Sequence, residues 1–217
     1  MIAKLKSTGL YRLFQRVRWS MRARLLPYDN VYVKTRNGEF FLSARSWQTA
    51  PLPRLYSKTY LVYEEEESKQ FEALIEKGDV VFDIGAQVGY YTILAAKVGA
   101  GRVYAFDILH PYAREVKRQI ALNGFQDKAE ALHLALGKKD GEPLAFQNYF
   151  RKTNMKSITL DTFCEEKNIF PNVLKIDVQG NELAVLKGAK ETLHTHRPKV
   201  MVMLYDELLK EKNQTQK

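Results

Sequence analysis

The chain has 217 residues, 45% of them hydrophobic and 27% charged, with 34 Lys and Arg against 25 Asp and Glu for a formal net charge of +9. That composition and length support a full hydrophobic core in one large domain, and they exclude intrinsic disorder, collagen and coiled-coil classes. One cysteine, Cys164, excludes an internal disulfide and a cysteine-based zinc site; the four histidines show no metal-ligand spacing, and no apolar run approaches the ~20 residues that span a bilayer.

The charge is concentrated at the N-terminus. Residues 1–30 hold seven basic side chains and one acid, residues 31–60 hold five and one, and the rest of the chain is close to neutral. Leu10, Leu13, Phe14, Val17, Met21 and Leu25 recur at helical steps, with Arg12, Arg16 and Arg22 off that stripe, so a basic amphipathic helix ending at Pro27 is expected. Its partner stays open: the helix packs on its own domain, lies on an anionic membrane surface, or holds nucleic acid or serves as a presequence.

Residues 31–60 form an elaboration in which VYVK at 31–34 and FFLS at 40–43 flank an Asn37-Gly38 turn, a β-hairpin signal. Pro51 and Pro53 mark a connecting loop, and Glu64–Glu67 open a helix running to about Glu76. Residues 61–217 are expected to form a single domain. Strand signals at 80–84, 103–107, 130–136, 173–178 and 199–204 alternate with helical stretches at 90–98, 111–123, 159–168 and 181–194. This is the pattern of an α/β fold, a mainly parallel sheet with helices on both faces.

In such a sheet ligands bind beyond the carboxyl ends of the strands. There the first strand leads into Asp83-Ile84-Gly85-Ala86-Gln87-Val88-Gly89, followed by a helix from Tyr90, and the second ends at Asp107, about twenty residues later. An acid in that place accepts hydrogen bonds from ribose hydroxyls, which implies a nucleoside-bearing cofactor. The glycines read G-x-x-x-G rather than G-x-G-x-x-G, and no P-loop lysine follows. An acid at the first strand end suits a cationic ligand part better than a phosphate, which points to S-adenosylmethionine.

VFDIGAQVGYYTILAAK at 81–97 and VYAFD at 103–107 resemble the first two motifs of class I S-adenosylmethionine-dependent methyltransferases, with their Rossmann-like fold. ITLDTF at 158–163, VLKIDVQGNELAVLKGAKETL at 173–193 and RPKVMV at 197–202 closely resemble the FkbM family, over residues 60–204 in all. The resemblance implies O-methylation of a hydroxyl on a sugar, glycan or small metabolite. It implies cofactor contacts at Asp83, Gly85, Ala86, Gly89, Tyr90, Asp107, Ile108, Ala135 and Leu136, the last two flanking adenine. Asp177, ending the fourth strand beside the reactive methyl, is the candidate catalytic residue, as proton acceptor or orienting partner of the acceptor hydroxyl.

The chain departs from the family pattern at Gln87, Ile108, Gln179 and Met203. The last two replace carboxylates, and no metal site is expected. Two other readings remain: an RNA or tRNA methyltransferase using the basic arm, and a non-catalytic binding module of the same fold. His110, at a helix start, is expected at the surface, and His133 and Cys164 in structural roles. A cytoplasmic protein, peripheral to the membrane through residues 1–30, is expected.

Overall fold

The computed structural model describes residues 30–35, 38–43, 64–147 and 152–204. The expected basic helix over residues 1–30 and the connecting loop after the hairpin therefore lie outside the described residues. In chain order the elements are β1 (Asn30–Thr35), β2 (Gly38–Ser43), α1 (Glu65–Leu74), β3 (Val80–Ile84), α2 (Tyr90–Val98), β4 (Arg102–Asp107) and α3 (His110–Leu122). There follow β5 (Ala129–His133), β6 (Pro143–Gln147), β7 (Lys152–Lys156), α4 (Leu160–Lys167), β8 (Val173–Ile176), α5 (Glu182–Lys187), α6 (Lys190–His196) and β9 (Lys199–Val202).

Five strands form a wholly parallel sheet in the order β5-β4-β3-β8-β9. The chain lays down β3, β4 and β5 toward one edge and then returns to place β8 and β9 on the other side of β3. The strand order thus reverses between β3 and β8, where a crevice opens beyond their carboxyl ends.

Side chains alternate across this sheet with period two. Val81, Val103, Ala105 and Val173 face one layer, built with Phe71 of α1, Ile93 and Leu94 of α2 and Val116 and Ile120 of α3. Phe82, Ile84, Tyr104, Phe106, Leu174 and Ile176 face the other, built with Leu160, Phe163 and Cys164 of α4 and Val185 of α5. The second layer centres on Phe163, whose ring lies 4.9 Å from that of Phe106 and 5.7 Å from that of Phe82, each pair edge to face; such pairs add ~0.5–1.5 kcal/mol each beyond area burial.

Helix α2 is buried from Tyr90 to Ala96, nearly all round. The sheet covers one side, and α1, α3 and strand β2 of the hairpin cover the rest, with Phe40 and Leu42 buried in the same cluster. The hairpin register pairs Thr35 with Gly38, so Gly38 belongs to the strand and not, as expected, to the turn.

Two further differences from the sequence reading have local causes. The single helix expected over 181–194 is two, α5 and α6, because the carbonyl of Gly188 accepts from the Asp161 amide at 3.0 Å and the Asp161 carboxylate then receives the amides of Glu191 at 3.0 Å and Thr192 at 2.8 Å. Asp161 of α4 thereby caps α6, and the space beside Gly188 is closed by the carbonyl of Gly137. The second difference is an antiparallel hairpin, β6–β7, in a segment given no strand by the sequence.

Candidate active site

The crevice at the switch point is lined by residues from the ends of β3, β4, β5 and β8 and from strand β6, the place where small-molecule sites form in such sheets. Gly85, at the end of β3, adopts φ +86°, and a Cβ there would overlap the carbonyl of Asp177. The position demands glycine on both counts. The loop after Gly85 is tied to the neighbouring strand, since the amides of Gly85 and Ala86 both donate to the Phe106 carbonyl at 2.9 and 3.0 Å.

Asp107 ends β4 on the crevice wall. Its Oδ1 accepts from the Leu109 amide at 2.7 Å and its Oδ2 from the Gln87 amide at 2.9 Å. An ionised carboxylate has about four acceptor positions, so two remain for a diol. Burial pushes its carboxyl up to about 6; the two amides oppose that rise, Asp83 adds to it and Lys175 lowers it.

Beyond Asp107, Ile108, Leu109 and Tyr112 continue the wall. Leu134, Ala135 and Leu136 come from the end of β5, and His133 fixes this corner by a 3.0 Å hydrogen bond between Nε2 and the Ile108 carbonyl. Leu144 and Phe146 of β6 close the apolar side, so the hairpin that the sequence did not reveal supplies part of the site. Its only signal was the alternation of Leu144 and Phe146. His110 is exposed, its ring 5.2 Å from that of His133, and is not part of the wall.

Asp177 stands on the opposite lip, with Val178, Gln179 and Asn181 beside it. The buried carboxylate of Glu182 orders this loop by accepting from the amides of Val178 and Gly180 at 3.1 and 3.0 Å. Asp177 Oδ1 is buried with no hydrogen-bond partner among the described residues.

Of the residues expected to meet the cofactor, Gly85, Asp107, Ile108, Ala135 and Leu136 line the crevice, as does Asp177. Asp83, Ala86, Gly89 and Tyr90 do not. Asp83 is fully buried beneath the floor, where Oδ2 accepts from Thr92 Oγ1 at 2.7 Å and Oδ1 lies 3.2 Å from Lys175 Nζ. Gly89 caps α2 and lets it approach Val116 of α3. Ala86 is in the core, and Tyr90 packs on Phe40 with its hydroxyl 2.9 Å from Ser68 Oγ. These four build the site from behind.

Sequence reasoning missed Lys175, a buried lysine within the apolar strand VLKI. The signal was present, because a charge in a strand covered on both faces requires a buried partner.

The wall fits S-adenosylmethionine by its own chemistry: a carboxylate with free acceptor capacity for ribose, an apolar slot for a purine, a glycine that admits backbone approach, and an unpartnered carboxylate oxygen for a cationic or hydroxylic group. Comparison with known proteins agrees. Residues 83–215, more than half of the chain, match the family model of the methyltransferase FkbM domain. An FkbM methyltransferase crystal structure from Methylobacillus flagellatus is similar at 18% identity and a TM-score of 0.48, covering 94% of this chain and 53% of that one.

Two curated proteins match a shorter stretch. A probable protein arginine N-methyltransferase 6 of Arabidopsis thaliana is 42% identical over 64 residues, and a ribosomal protein L11 methyltransferase of Desulforamulus reducens is 36% identical over 62 residues. These matches cover 30% and 29% of this chain and only 14% and 20% of the lengths of those relatives. The chain belongs to the methyltransferase FkbM domain family and carries an S-adenosylmethionine-dependent methyltransferase domain.

Proposed function

We propose that this protein methylates a hydroxyl group of a sugar, glycan or small hydroxylated metabolite. The supporting observation is Asp177 Oδ1, buried on the lip of the crevice with no hydrogen-bond partner among the described residues. The Asp177 carboxylate on that lip is suited to receive a hydroxyl proton, and the neighbouring amide of Gln179 suits a polyhydroxylated acceptor.

When bound, S-adenosylmethionine supplies an electrophilic methyl on a sulfonium. Asp107 and the apolar slot from Leu134 to Leu136 hold the nucleoside end, and the Gly85 turn admits the chain that carries the sulfur. Asp177 would orient the acceptor hydroxyl and hold its proton while the sulfonium supplies the methyl group, the products being a methyl ether and S-adenosylhomocysteine. In such an in-line displacement, alignment of the two reactants supplies much of the acceleration.

The test uses S-adenosylmethionine labelled in its methyl group, offered with a panel of sugars, glycans and small polyols beside transfer RNA and a basic protein. Label on a hydroxylated acceptor, reduced ~10²–10⁴-fold in Asp177→Asn, supports the reading. Label on RNA or protein alone, or no binding of the cofactor, overturns it. We also propose that residues 1–30, rich in arginine on one face, dock this cytoplasmic domain on anionic membrane. Cosedimentation with phosphatidylserine vesicles that is lost on removing residues 1–29 is the expected result. Among the described residues no helix is long and apolar enough to cross a membrane.

A further inference from the structure

Beneath the crevice floor lies a charged cluster that the proposed reaction does not use directly. Lys175 occupies β8 at the register position opposite Asp83 of β3, so the two form a cross-strand pair on one face of the sheet. Its side chain is 3% exposed and that of Asp83 is not exposed at all, with Nζ 3.2 Å from Asp83 Oδ1. The same nitrogen lies 3.7 Å from Asp177 Oδ2 and 4.7 Å from the centroid of the Tyr91 ring. Burial works against its charge, but Asp83 and Asp177 outweigh that and hold the ammonium above the ordinary lysine range. Asp177 therefore has one oxygen turned to a fixed cation and the other left without a hydrogen-bond partner.

We propose that Lys175 is a positioning residue of this site: close to Asp177 Oδ2 from below and anchored by Asp83, it fixes the Asp177 carboxylate on the crevice lip and favours its ionised form. The proposal rests on the assignment of Asp177 to the acceptor side made above.

The surroundings make the cation necessary. Asp83 from β3, Glu64 preceding α1 and Glu182 of α5 all raise the Asp177 carboxyl, after burial, which is the largest cause; Lys175 opposes them. Asp107 at the end of β4 is a further nearby acid, itself raised by Asp83. On α2, Thr92 donates to Asp83, and Tyr91, its phenol pushed up by burial, donates to Glu64 Oε2 at 2.7 Å. Among these groups the ammonium of Lys175 is the cation that faces Asp177.

The test is a carboxyl-carbon NMR titration of the full chain labelled at aspartate Cγ, with the Asp177 resonance assigned by its loss in Asp177→Asn. Lys175→Met is expected to raise the Asp177 midpoint by ~1–3 units, the effect of losing an opposite charge at this range. That variant leaves buried carboxylates uncompensated and is the one most exposed to folding failure. A second comparison therefore sets Asp83→Asn/Lys175→Met against Asp83→Asn, with the same rise expected. A midpoint that does not move in the second comparison overturns the proposal and leaves Lys175 only the counter-charge of Asp83. Addition of S-adenosylhomocysteine to the unsubstituted protein separates the two readings. An Asp177 resonance indifferent to it counts against the assignment of the crevice, while the midpoints still decide the role of Lys175.

Discussion

On the proposed assignment of Asp107 to the ribose, this residue would link ionisation to cofactor binding. Its carboxyl is raised from 3.8 to about 6, with burial the first cause. A folded-state value above the unfolded one means that the group favours the folded state below about 3.8 and loses that contribution as pH rises through about 6. Ribose hydroxyls donate to the ionised form, so bound cofactor shifts the balance the other way. Affinity for S-adenosylhomocysteine, measured by calorimetry, is expected to fall as pH drops below about 6, with a proton released on binding near that pH. Asp107→Asn is expected to weaken binding ~10–100-fold through loss of hydrogen bonds to a charged acceptor, and to remove this pH dependence. An unchanged affinity would place the nucleoside elsewhere.

Between elements, the cap that Asp161 gives to α6 carries a separate expectation. Asp161→Ala leaves the amides of Glu191 and Thr192 without their carboxylate and is expected to lower stability by about 1 kcal/mol in urea unfolding, with cofactor affinity retained. The same contact shows where sequence legibility stops. The five core strands and the helices α2, α3 and α4 are readable because their apolar runs, turn glycines and spacing are local signals. The break between α5 and α6 is not, because its cause lies on α4, some thirty residues earlier in the chain. Nor was β6–β7, whose few apolar residues form a weak alternation that acquires meaning only against the crevice. At the site, glycine pattern and spacing singled out Gly85 and Asp107, which line the crevice, together with Asp83 and Gly89, which lie behind it. Which of these motif residues faces a ligand and which faces the core depends on sheet face and helix packing, neither of which the motif encodes.

For the molecule as a whole, the N-terminal hairpin is part of the domain's core. Phe40 is 2% exposed and its ring lies 5.6 Å from that of Tyr90, so the hairpin closes the outer side of α2, the helix that follows the Gly85 turn. Phe40→Ala is expected to cost about 3 kcal/mol in thermal or urea unfolding, the range for truncating a buried phenylalanine. Detachment of the hairpin would also be read as faster amide exchange in α2. A hairpin that merely decorated the surface would leave both unchanged.

The pairing of Asp83 with Lys175 has a consequence for how the sheet assembles. The two strands that carry it are separated by some ninety residues and meet side by side in a parallel register with no hairpin turn to align them. Each of β3 and β8 carries apolar residues beside its one charged residue, so more than one alignment would pair apolar positions. Charge distinguishes them. If β8 slid by one residue, Lys175 would point into the opposite layer, among Phe82, Phe106 and Phe163, and Asp83 would stay buried without its cation. An uncompensated buried ion costs several kcal/mol, which is a large part of the stability of a domain of this size. The pair thus selects one alignment of the strands flanking the crevice, and with it the close backbone approach of Gly85 to Asp177 at the crevice floor.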